Sequence, residues 1–129
     1  YKNMAGHLHR NVSLEFLLSF ENIDKLKCLT SIINKDRVSQ NFNDEQYKEF
    51  LKYFYYDNTF NRTYDNWINE NKQQFAKPSL DHIVPLSKGG TWELSNLRII
   101  PWCINIAKYN FMPDEWEYIR GKYFTERWC

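Results

Sequence analysis

Apolar residues recur at helical spacing through the first half of the chain, and 12–75 reads as a mainly helical stretch. Leu14, Phe16, Leu17, Leu18 and Phe20 form a dense run, and Ile23, Leu26, Leu29, Ile32 and Ile33 then follow the three-and-four spacing that lines one side of a helix. Asn22 stands where that second helix needs an N-cap, its side-chain oxygen suited to an orphan backbone N–H. Asn43-Asp44-Glu45 predicts another start, with acids at the positive end of the helix dipole, leading into Tyr47, Phe50, Leu51, Phe54 and Tyr55. A further helix over 60–68 would carry Tyr64, Trp67 and Ile68 on one face. Stripes of this kind are core-forming faces before they are anything else.

The period changes after Lys77-Pro78. Residues 80–84 read as a short strand, 85–95 as a loop containing Gly89-Gly90, and 97–100 as a second strand that Pro101 closes. Residues 102–110 fit one short helix. Met112-Pro113-Asp114-Glu115 opens a last one, with proline and acids suited to the first turn and Gly121 suited to the stop. The expected fold class is therefore α+β: two short antiparallel strands and a helix packed against a mainly helical N-terminal part. The expected organisation is one domain over 1–129, with a support region at 1–78 and a functional core at 79–129.

Composition narrows this picture. Of 129 residues 43% are hydrophobic and 18% aromatic, enough for a core rich in Phe, Tyr and Trp and too much for a disordered chain. The 17 Lys and Arg nearly balance the 16 Asp and Glu, so bulk charge gives no reason for nucleic-acid affinity, which has to come from local features. There is no apolar run of about 18 residues and no signal-like stretch after Tyr1-Lys2-Asn3-Met4. The expectation is a soluble, cytoplasmic protein with no membrane partner, and the opening Tyr leaves an upstream segment open. Cys28, Cys103 and Cys129 are scattered and odd in number, which suits a reducing compartment; with no CxxC pair, no structural zinc is expected.

The chemistry concentrates in one block: Asp81-His82-Ile83-Val84-Pro85-Leu86-Ser87-Lys88-Gly89-Gly90, then Asn96-Leu97, then Asn105 and Lys108. Asn96 lies fourteen positions after the His (96 − 82), Asn105 nine further on (105 − 96), and Lys108 three beyond (108 − 105). This order and spacing resembles the HNH nuclease motif, whose members cut phosphodiester backbones with one divalent metal ion in a ββα-metal fold. Many members frame the block with two CxxC pairs around a structural zinc. Pro101 and Ile104 stand where the second pair would fall, so the chain resembles the zinc-free members, including the cutting domain of CRISPR effector nucleases and the small HNH proteins of phages and mobile introns. The likeness covers 79–110, roughly a quarter of the chain.

The residues suit the roles this resemblance implies. A neutral imidazole, with an ordinary pKa near 6.5, is a fitting base for the attacking water, which assigns His82. Asp81 offers the hard anionic oxygen that Mg²⁺ prefers, with Mn²⁺ as a substitute, and Asn105 adds a neutral carbonyl oxygen. Neighbours on a regular strand point to opposite faces, so the strand has to bend or end at Asp81-His82 for both to serve one site. Asn105 and Lys108, at i and i+3, share a helix face, which would let Lys108 touch a phosphate unless it is simply a solvated charge. Asn96 ends the loop, either holding it for His82 or forming a plain turn. Lys88-Gly89-Gly90 adds a cation and a freely turning backbone to the same loop.

The expected partner is DNA, in its double-stranded form. Candidate phosphate contacts are Lys2, His7, His9 and Arg10, then Lys25, Lys27, Lys35 and Arg37, then Arg120, Lys122 and Arg127. Residues 43–70 carry six acids against three bases and should face away from DNA. The resulting expectation is a metal-dependent HNH endonuclease. Its rivals are a non-catalytic DNA-binding or assembly module retaining a relic block, and an RNA-directed nuclease using the same site.

Overall fold

The computed structural model describes residues 12–123, and the division into compact units falls between Asp57 and Asn58. The helix that follows Asp57 packs on the strands and groups with them. Among the described residues no helix is long and apolar enough to cross a membrane.

The first unit is helical: α1 (Leu14–Leu18), α2 (Ile23–Ile33), the single turn α3 (Asp36–Ser39) and α4 (Asp44–Tyr55). Asn22 caps α2 as its position suggests, its side chain accepting from the Lys25 N–H. At α4 the Asn43 side chain accepts from the Gln46 N–H while Gln46 accepts from the Asn43 N–H, a reciprocal pair that satisfies two orphan donors. Most of the predicted stripe residues are buried, namely Leu17 and Phe20 in the first run, Leu26, Leu29, Ile32 and Ile33 on α2, and Tyr47, Phe50, Leu51, Phe54 and Tyr55 on α4, whereas Leu14 and Leu18 are exposed and Ile23 is half-buried. Burying a tyrosine leaves its hydroxyl to be satisfied. Tyr47 donates to Asn34 Oδ1 (2.9 Å), and the Tyr55 oxygen accepts from the Asn22 N–H (2.7 Å).

The second unit carries α5 (Asn58–Asn69), β1 (Pro78–His82), β2 (Leu97–Pro101), α6 (Trp102–Lys108) and α7 (Pro113–Tyr123), which makes the fold α+β. β1 and β2 form one antiparallel pair in the register Pro78↔Pro101, Leu80↔Ile99, Asp81↔Arg98 and His82↔Leu97. Two prolines face each other at one end, where neither can donate to a longer ladder. The first strand therefore runs from Pro78 to His82 rather than over the predicted 80–84.

Packing holds this hairpin between helices. α5 lies against β2 and buries Phe60, Thr63 and Tyr64, whereas Ile68, predicted on that face, is exposed. Ile100, Ile104 and Trp116 form a cluster joined by Cys103, Ala107, Phe111 and Ile119, which ties β2, α6 and α7 together. α7 continues past Gly121, where the sequence suggested a stop.

α6 ends abruptly at Tyr109 (φ +46°, ψ −125°), a conformation that glycine visits freely and a residue with a β-carbon avoids. The Tyr109 side chain is exposed and has little burial to lose. Tyr109→Gly should therefore raise unfolding stability by about 1 kcal/mol, from the relief of backbone strain. Urea unfolding of the two proteins side by side checks this.

Candidate active site

The loop after β1 is built around Asn96. The ladder continues one step beyond His82, where the Ile83 N–H donates to the Asn96 carbonyl (2.8 Å). There the Asn96 side chain takes over: its Oδ1 accepts from the Val84 N–H (2.9 Å), and its Nδ2 donates to the carbonyls of Val84 (3.1 Å) and Thr91 (2.9 Å). An amide side chain thus stands in for the next strand residue, which is why strand geometry stops short of 84. The loop closes on itself where the Gly90 N–H donates to the Pro85 carbonyl (3.0 Å). A β-carbon at Gly90 would collide with the Val84 carbonyl, so this close approach admits only glycine.

Asp81 and Lys108 meet in the interior. Asp81 is 4% and Lys108 1% exposed, and Lys108 Nζ donates to Asp81 Oδ1 (3.0 Å), to the His82 carbonyl (2.8 Å) and to the Ile83 carbonyl (3.3 Å). All three ammonium protons are spent inside the protein. The sequence reading gave Lys108 a phosphate contact or a solvated position, and the structure corrects both: i, i+3 spacing does put it beside Asn105, but on the side of α6 that faces β1. Across the ladder Arg98 Nε donates to the other carboxylate oxygen, Asp81 Oδ2 (2.9 Å), as their paired register requires. Arg98 carries no role in the sequence reading, although a lone Arg among Leu97, Ile99 and Ile100 already needed a partner.

His82 is the last residue of β1, half-buried, with the Trp92 ring set edge-on to it at 4.3 Å between centroids and 90° between planes. No spacing rule points to Trp92. Asn105, half-buried on α6, donates through Nδ2 to Ser79 Oγ (2.9 Å) and to the Leu80 carbonyl (2.9 Å). Its Oδ1 accepts nothing from the described residues. Asp81, His82 and Asn105 all line one hollow of about 360 Å³ beside β1, with Leu86 and Ser87 of the loop and Tyr109 completing its rim.

The donor set determines what ion this hollow suits. Among the described residues no group of three or more His, Cys, Asp and Glu gathers for a metal, so an ion here would rest on one carboxylate and the Asn105 carbonyl oxygen. Each Asp81 oxygen accepts one hydrogen bond and keeps lone-pair capacity, and the Asn105 Oδ1 is available. Hard oxygens in small number, with room for water, fit Mg²⁺. Asp81 is also flanked by two cations, which lowers its attraction for a third. Lys88, in the same loop, sits 3.6 Å from Glu115 with both side chains exposed, a pairing of little energetic weight. Lys2, His7, His9, Arg10, Arg127 and Cys129 lie outside the described residues. Comparisons with protein-family models, curated proteins and solved structures return no match for this chain.

Removing Lys108 would leave the Asp81 carboxylate buried with one partner fewer, and two carbonyls without their donor. Lys108→Ala should cost about 3–5 kcal/mol in a denaturant titration, against less than about 0.5 kcal/mol for an exposed cation.

Proposed function

We propose that the chain is a metal-dependent endonuclease of the HNH type that hydrolyses DNA phosphodiester bonds. One observation carries this reading: Asp81, His82 and Asn105, drawn from β1 and from a helix more than twenty residues later (105 − 82), line a single hollow open to solvent.

The chemistry follows from side-chain character. His82 takes the proton of a water whose oxygen attacks phosphorus as the bond to the 3′-oxygen breaks, giving the 5′-phosphate and 3′-hydroxyl ends implied by the resemblance. Asp81 and Asn105 would hold Mg²⁺ or Mn²⁺. When bound, such an ion neutralises phosphate charge and stabilises the leaving oxygen. Asn96 supports His82 indirectly by fixing the backbone at Ile83 and Val84. Lys108 has no part in substrate contact here; it holds Asp81 and the end of β1.

A second reading rests on the same carboxylate. Both Asp81 oxygens are engaged by cationic side chains, an arrangement that would also suit a non-catalytic binding module with a purely structural relic of the block. Incubation of the protein with supercoiled plasmid in Mg²⁺, Mn²⁺ or EDTA separates the two. The nuclease gives open-circle or linear product that EDTA abolishes, and His82→Ala lowers the rate by roughly 10² to 10⁴, the usual worth of a general base. Full activity in His82→Ala would sink the assignment. Intact plasmid with EDTA-indifferent gel retardation would favour the binding module, and cleavage confined to a structured RNA would redirect the substrate.

A further inference from the structure

We infer that Arg98 makes ion binding at Asp81 conditional on a bound nucleic-acid phosphate. This rests on the reading above, in which Asp81 and Asn105 hold a divalent ion. The two cations on Asp81 are unlike. Lys108 is fully enclosed with all three donors spent, a fixed part of the interior. Arg98 has a side chain 32% exposed and commits only Nε, to Asp81 Oδ2. Its two terminal amino groups have no hydrogen-bond partner among the described residues.

The local charges then set the order of preference. Asp81 contributes −1 and Lys108 and Arg98 +1 each, so the cluster carries one net positive charge before any ion arrives. Glu117 lies in the field of Arg98 but is paired with Arg120 at 2.8 Å, so that pair adds no net charge to the count. A divalent ion approaching Asp81 is therefore opposed until an anion joins it. A phosphodiester brings the cluster to neutrality before the ion's own charge is counted, which removes the opposition, and its oxygens match the planar pair of donors that Arg98 still presents. Ion and nucleic acid each improve the site for the other, and linkage requires the same factor in both directions. Arg98 is in this sense a positioning residue for the ion, acting through Asp81.

The test is a Mn²⁺ titration read by electron paramagnetic resonance, on the full chain in a His82→Ala background so that a duplex oligonucleotide stays intact. Duplex should tighten Mn²⁺ binding by roughly tenfold, within the usual range of coupling between two ligands. Adding Arg98→Gln should tighten Mn²⁺ binding without duplex by a similar factor of about ten and largely remove the effect of duplex. Arg98→Lys, which keeps the charge, should behave like the parent. Thermal melts confirm folding, and Arg98→Met replaces Arg98→Gln if the glutamine variant fails to fold. Ion affinity that is unchanged or weaker in the charge-removing variant overturns the role of Arg98 while leaving the ion site standing. Absence of bound Mn²⁺ in every protein, with and without duplex, overturns the ion site and this inference together.

Discussion

The ammonium of Lys108 is the point on which the site depends. Among the described residues β1 has a ladder partner on one side only, and the carbonyls of Leu80 and His82, two residues apart, point the same way along its other edge. An open edge of that kind needs donors from elsewhere. α6 supplies them from side chains: Asn105 to the Leu80 carbonyl, and Lys108 to the carbonyls of His82 and Ile83. The helix is thereby bolted to the strand edge, and the hollow lies where strand end, loop and helix end meet. With Lys108 also bonded to Asp81, one side chain sets both the backbone at His82 and the orientation of the carboxylate.

Sequence spacing revealed the pairing of Asn105 with Lys108 but not what the pair would meet. Three residues along a helix guarantee a shared face, and nothing in that rule says whether the face looks at solvent or at a strand edge. The same lysine pattern would have served an exposed phosphate contact. Asn96 was more legible, because an amide at the end of a glycine-containing loop has backbone groups as its nearest acceptors. Arg98 was legible in principle, as a charge inside an apolar strand, but its partner depended on the register, which hairpins with long loops do not declare locally.

The helices show the same division between local and global information. Asn22 and Asn43 mark helix starts because capping is settled within three residues. The separate turn α3 and the passage of α7 through an exposed Gly121 were not marked by any local signal, because a single glycine costs a helix only about 1 kcal/mol and propensity is a weak guide. The unit boundary belongs to this second kind. Whether the helix after Asp57 joins the preceding helices or the hairpin is decided by Phe60, Thr63 and Tyr64 packing on β2, residues whose spacing alone would suit either.

Asp81 carries two duties, and they bear on how any substitution there is to be understood. As a buried anion it stabilises Lys108 and Arg98, and its loss strands an ammonium in the interior. As a lining residue of the hollow it is the anionic oxygen available to an ion. A truncation at 81 therefore disturbs the end of β1 and the backbone of His82 together with any ligand function, so a change in that variant cannot be assigned to ion binding by itself. Asn105 separates the duties better. Its nitrogen holds Ser79 and Leu80 while its oxygen stays uncommitted, so a change that keeps the donor and alters the acceptor addresses ligation without unbolting the helix. The chemical division within one amide group, rather than the charge on the carboxylate, is where the structural bonds of this site come apart from the oxygen left for a ligand.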